Sequence, residues 1–179
     1  MYVNQNDRFY YITLMNENYA HPQRPKSATN ENIIKGAYLF SSCEKPNIRI
    51  LASGLTLNFA LQAHDVLKDL GISSEIWSIT SFNELYKGGM ESERSAIIGN
   101  KEASYVEECF KNNLPTVAVS EYQRSYANQI RQWVNGSYVT LGTDGFGRSD
   151  TREKLREFFE IDQDYIVINC LKILKKKIY

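Results

Sequence analysis

The sequence predicts an α/β domain built on a mainly parallel sheet covered on both faces. Three observations carry that prediction. From residue 38 onward, short apolar runs alternate with longer amphipathic segments, the pattern of strands joined by crossover helices. The run IRILAS (48–53) reads as a strand buried on both faces. A chain of 179 residues with 42% hydrophobic and 23% charged residues has the balance of an ordinary soluble domain. At that length folding hides about 70% of the surface of the unfolded chain, enough for a substantial core.

The elements follow in order. RFYYITLM (8–15) has Phe9, Tyr11 and Met15 on one side and Tyr10, Ile12 and Leu14 on the other, so it reads as a strand apolar on both faces. The polar stretch 16–32, with Pro22 and Pro25, then reads as an inter-domain linker. A buried strand that leaves through a linker points to a sheet in a preceding domain; the alternative is that it pairs within this one. Residues 31–37 form a short helix and 38–42 a strand. Gly54 turns IRILAS into a helix over 56–70, with Leu57, Ala60, Leu61, His64 and Leu67 near one face and Gly71 as its stop. SEIWSI (74–79) is a strand, 81–113 is helical and irregular with a helix at 105–111, and TVAVS (116–120) is a strand. A helix at 124–134 and the strand YVTLG (138–142) come next. Asp150 and Glu153 have capping-box spacing before a helix at 151–158. Asp162 caps a final helix at 163–176, preferred on length over a sixth strand at YIVIN (165–169), with Lys175–Lys177 suiting the C-terminal end of its dipole.

Charge and composition exclude several functions. Lys plus Arg and Asp plus Glu both number 21, with a pI near 6.7, so no basic surface is expected for nucleic acid or an anionic membrane. No apolar run approaches the ~18 residues of a bilayer span. MYVNQNDRFYY lacks the basic and apolar regions of a secretory signal. Cys43, Cys109 and Cys170 are odd in number and far apart, so they read as reduced, mostly buried thiols. A cytoplasmic location is expected.

Little in the chain reads as catalytic. His21 lies in the linker and His64 within a helix, without the HxxxH or HExxH spacing of a zinc site. No serine sits in a GxSxG elbow. LGTDGFGRSD holds Gly142, Gly145 and Gly147 between a strand and a helix, where an α/β fold offers N–H groups to anions, but it is neither a Walker A loop nor GxGxxG. Asp144, Arg148, Asp150 and Arg152 crowd it. Either Asp144 and Arg148 tie the loop down through charge-assisted hydrogen bonds, or the loop meets a ligand or partner. ASGLT (52–56) has similar geometry and a weaker claim. In 120–134, Glu121, Tyr122, Arg124, Tyr126 and Trp133 suit an interface and a half-buried helix equally.

LGTDGFGRSDTREKLREFFEID (141–162) resembles the C-terminal hallmark of the homodimeric, acetyl-transferring pyruvate dehydrogenases, which are transketolase-like enzymes. YYITLMNENYAHP (10–22), IIKGAYLF (33–40), ILASG (50–54), WSITSFNELYKGGMESER (77–94) and VAVSEYQRSYANQIRQWV (117–134) extend the resemblance, in the family's order, over nearly the whole chain. It implies a three-layer αβα domain of the transketolase C-terminal type over 33–179, with a five-stranded mixed sheet, mostly parallel, its first strand antiparallel. It also implies that 1–15 is the last strand of a missing middle, pyrimidine-binding domain and 16–32 a linker. The family holds thiamine diphosphate and magnesium through a GDG…N motif and an activating glutamate in its other domains; DGFG (144–147) is a different loop. No catalytic, cofactor or metal residue therefore transfers here, and the cofactor is expected in the parent and not on this chain. The implied partners are the parent's remaining domains, a homodimer mate and the dihydrolipoyl acyltransferase component. Two alternatives stand beside this reading: a subunit of a split enzyme, and a small-molecule sensor using 52–56 and 142–150.

Overall fold

Alternation of Ile48, Ile50 and Ala52 with Arg49 and Leu51 sends every side chain of β2 (Ile48–Ala52) into one core or the other, and all five residues are buried. That makes β2 the centre of the sheet. In this computed structural model the described residues are 3–4, 14–15, 17–100 and 102–175. The strand expected at 8–15 therefore lies outside the described residues, save for Leu14 and Met15.

β3 (Ser74–Ile79) pairs parallel with β2 in the register Ile50–Ile76, and β4 (Thr116–Val119) pairs parallel on its other side in the register Ile50–Val117. β5 (Tyr138–Leu141) extends the sheet parallel to β4. β1 (Ala37–Ser41) pairs antiparallel with β3, Ala37 opposite Ile79. The sheet has five strands in the order β1-β3-β2-β4-β5, the mixed arrangement expected.

One helical layer consists of α2 (Thr56–Asp69) and α7 (Gln163–Ile173), whose Leu57, Ala60, Ala63, Leu67, Ile166 and Cys170 pack on Ile48, Ile50 and Val117. The other holds α3 (Phe82–Ile97), α4 (Tyr105–Cys109) and α5 (Arg124–Asn128), which bring Phe82, Leu85, Val106 and Ala127 onto Leu51 and Ala118. The short α1 (Asn30–Lys35) and α6 (Arg152–Phe158) complete the described α-helices. This is the three-layer αβα domain expected.

Local chemistry explains the joints. At the β2–α2 turn Gly54 adopts φ +59°, a conformation an L side chain resists. The buried Thr56 hydroxyl donates to the Ser53 carbonyl at 2.8 Å and accepts from the Ser53 N–H at 3.1 Å, while lying 3.1 Å from the Val119 carbonyl on β4. His64 is a core-edge residue, its Nδ1 2.7 Å from Ser74 Oγ.

Four expectations need correction. The helix expected at 124–134 stops at Asn128 and resumes as a 3-10 turn over Arg131–Trp133, because Ile130, Trp133 and Val134 all turn inward to fill the core against α3. The cap of α6 is Thr151, whose hydroxyl accepts from the Lys154 N–H; Asp150 stands one residue earlier and accepts from the Thr151 N–H at 2.7 Å. Asp162 does cap α7, accepting from the Tyr165 N–H, but that helix ends at Ile173, before the lysines. Only Cys170 among the three thiols is buried; Cys109 is intermediate and Cys43 exposed. Among the described residues no helix is long and apolar enough to cross a membrane.

Candidate functional site

Parallel sheets place their binding crevices outside the carboxyl ends of the strands, where neighbouring loops diverge to opposite faces. Here that point lies between β2, which feeds α2 on one face, and β4, which feeds α5 on the other. A cavity of about 910 Å³ opens there, bounded by the 53–57 turn, 79–82, 121–126, Leu14, Met15 and the segment 17–22, which forms a strap along it.

Two arginines one helical turn apart on α6 fasten the strap. Arg152 Nη1 and Arg156 Nη2 both donate to the Tyr19 hydroxyl, at 3.2 and 2.9 Å, and that hydroxyl donates to Glu17 Oε2 at 2.8 Å. Arg152 Nε also pairs with Glu17 Oε1 at 3.0 Å, and Asn58 Nδ2 on α2 donates to the Ala20 carbonyl at 3.3 Å. The Arg156 guanidinium lies over the rings of Phe59 and Tyr19. Four polar contacts from outside this segment of four residues, three of them from arginine guanidinium groups, hold it down.

The residues singled out by sequence fall on this edge but do not form one cluster. Asp144 accepts from the Arg124 backbone N–H at 2.9 Å and lies 3.6 Å from its guanidinium, so the loop is tied to α5 through Arg124 and not through Arg148. Arg148 instead stacks on Phe158, 4.0 Å from the ring centroid. Asp150 serves the entry to α6 and Arg152 the strap. Tyr122 is half exposed at the crevice, its ring 4.9 Å from that of Tyr126. Trp133 faces the core and donates from Nε1 to Glu93 Oε1 at 2.9 Å. Sequence reasoning missed Tyr19 and Arg156; the i, i+4 spacing of Arg152 and Arg156 on one helix face was the available signal.

Two of the crevice hydroxyls are committed to backbone: Thr80 Oγ1 donates to the Ile33 carbonyl at 2.6 Å, and Ser81 caps α3. Burial pushes the Cys109 thiol up to about 11 and the Cys170 thiol up to about 12, so neither is an available thiolate near neutrality. Thiamine diphosphate and magnesium do not fit these residues. The carboxylates Glu17 and Glu121 line the crevice and repel a diphosphate, while the adjoining arginines are engaged with the strap. Among the described residues no group of three or more His, Cys, Asp or Glu is placed to hold a metal ion.

Glu121 provides a test of the electrostatics. Burial raises its pKa above 4.5, against the opposing pull of Arg156 and Arg152. A carboxyl held above its unfolded value costs nothing when protonated in both states, and the cost grows as pH rises through the folded pKa. Glu121→Gln is therefore expected to raise the melting temperature at neutral pH, with the gain fading below about pH 4.5. Thermal melts across that range check it; a variant less stable at neutral pH would show that the arginine pairing wins.

The fold has known counterparts. A family model described as the transketolase-like TK C-terminal domain matches residues 36–162. The pyruvate dehydrogenase E1 component of Pseudomonas aeruginosa is 46% identical over 183 residues, covering 97% of this chain and 21% of that protein. The proteins of the same name from Cupriavidus necator and Escherichia coli are 42% and 40% identical, each covering 97% of this chain and 20% of theirs. This chain thus spans about a fifth of the length of those relatives. Among solved structures, a mutant transketolase of Pichia stipitis aligns with TM-score 0.61 at 19% identity, over 86% of this chain and 20% of that one. The transketolase of Campylobacter jejuni gives TM-score 0.60 at 19% identity, over 84% of this chain and 20% of that one. A mixed five-stranded sheet, the model match across most of its elements and relatives aligned along nearly the whole sequence agree: the chain belongs to the transketolase-like C-terminal domain family.

Proposed function

We propose that this chain is the C-terminal domain of an acetyl-transferring pyruvate dehydrogenase E1 component, and that it contributes assembly and shape to that enzyme while the chemistry proceeds in other domains. The observation that carries the reading is the pairing of 40–46% identity along 97% of this chain with coverage of about a fifth of the relatives so named. The Thr80 and Ser81 side chains of the carboxyl edge, both committed to backbone, support a domain without proton-transfer duties. In the parent, thiamine diphosphate with magnesium supplies the electron sink for decarboxylation of pyruvate. The domains that precede residue 16 hold that cofactor, and the acetyl unit passes to a lipoyl group of the acyltransferase component. The parent works as a homodimer in the cytoplasm.

The test is a chimaera in which this chain replaces the matching fifth of the Pseudomonas aeruginosa relative. Pyruvate decarboxylation within about threefold of that relative's is expected, with unchanged thiamine diphosphate affinity. An inactive chimaera, or stoichiometric binding of thiamine diphosphate by the 179-residue chain alone, would sink the reading.

A further inference from the structure

A contiguous patch of large apolar side chains left in water marks a surface that something covers, whereas singly exposed ones do not. On the carboxyl edge Leu14 is 86% exposed and Phe146 94% exposed, with Met15 and Tyr122 about half exposed. Leu14, Met15 and Tyr122 border the crevice. The loop carrying Phe146 is held against the same edge: the Thr143 N–H donates to the Tyr122 carbonyl at 2.9 Å, the Thr143 hydroxyl to the Glu121 carbonyl at 2.8 Å, and Asp144 binds Arg124. Gly142 packs so tightly there that a Cβ would stand 2.5 Å from the Tyr122 carbonyl oxygen. Beyond this anchor Gly145 turns with φ +87° and presents Phe146 outward. A loop fixed this firmly at its base, yet exposing a phenylalanine at its tip, spends apolar surface on something outside the domain.

We propose that this edge, with Phe146 at its tip and Leu14, Met15 and Tyr122 around the crevice, is the surface on which the preceding domain of the same polypeptide docks, through an apolar face of little net charge. The inference rests on the reading that the chain is one domain of a longer E1 polypeptide. Charge decides the partner's chemistry: the exposed Asp144 and Asp150 are balanced by Arg124 and Arg148 on the same edge, so the surface carries little net charge to select a strongly charged partner. Connectivity decides which partner. The strap is fastened at Tyr19, and Leu14, five residues earlier, lies within about 18 Å of that anchor even when fully extended. A domain tethered so briefly is held against the edge at an effective concentration in the millimolar range. The relatives are about five times as long as this chain, which supplies such a domain. A second exposed apolar group, Met90, Ile97 and Ile98 on and beyond α3, has no such tether beside it.

Hydrogen–deuterium exchange on the chimaera and on the isolated 179-residue chain tests this. Amides of 121–124 and 144–148 are expected to exchange at least tenfold more slowly in the chimaera, with those of 90–98 unchanged. Phe146→Asp, at a position too exposed to disturb folding, is expected to abolish that protection. An active chimaera without protection at the edge, or with protection that survives Phe146→Asp, overturns the docking surface and leaves the E1 reading intact. An inactive chimaera that is protected does the reverse. Concentration-dependent dimerisation of the isolated chain, lost in Phe146→Asp, would reassign the surface to a second copy and overturn the proposal.

Discussion

Glu75→Gln is expected to destabilise the domain by about 3–5 kcal/mol, because it strands a buried cation. Arg49 sits in the central strand with no exposure, and its Nε donates to Glu75 Oε1 at 2.6 Å across the β2–β3 register. Its Nη1 and Nη2 have no hydrogen-bond partner among the described residues, and the guanidinium lies 5.1 Å from the Phe110 ring centroid. Glu75 therefore supplies nearly all the compensation, and it also accepts from Trp77 Nε1 at 3.1 Å. The double variant Arg49→Met, Glu75→Gln should recover most of the loss, to within about 1 kcal/mol of the parent sequence, since an uncharged pair avoids the desolvation of two ions. Urea denaturation of the three proteins decides the matter. A double variant as unstable as the single one would show that packing, and not the stranded charge, carries the cost.

Gly88→Ala and Gly89→Ala are expected to act in opposite directions although they are neighbours in one helix. A Cβ at Gly89 would stand 2.5–2.6 Å from Trp133 ring atoms, whereas nothing lies within 4 Å of one at Gly88. Trp133 has little room to retreat: it is 6% exposed, packs edge-on to Tyr86 and donates to Glu93. Overpacking at Gly89 should cost about 1–3 kcal/mol, while alanine at Gly88 should add up to about 1 kcal/mol through helix propensity. Thermal unfolding of the two variants checks both signs. Equal shifts would mean that the helix backbone, and not the indole, governs this site.

The elements legible in the sequence were those written in local chemistry. Gly54 and Gly71 bound α2 because each turn requires positive φ, and Asp162 caps α7 because an aspartate at that position satisfies an otherwise unpaired N–H. Where two neighbours shared one chemistry, position was lost. Asp150 and Thr151 are both capping residues, and the backbone conformation entering α6 chose Thr151. The break in 124–134 was invisible because its apolar spacing suits a continuous helix; the fit of Trp133 over Gly89, more than forty residues away in sequence, overrides that local preference.

The candidate site divides the same way. Sequence alone singled out the 142–150 loop, Arg152 and Tyr122, and the resemblance identified the domain type. It missed that Arg156 joins Arg152 on Tyr19, that Arg124 and not Arg148 holds Asp144, and that Arg49 and Glu75 meet inside the core. The sequence by itself determined the order of strands and helices and most of their ends, because propensity, capping and alternation act between residues a few positions apart. Tertiary structure alone decided which strands are neighbours, which charges are buried and which segment lies along the crevice. Those outcomes depend on side chains brought together from opposite ends of the chain, and their energies exist only once the sheet has formed.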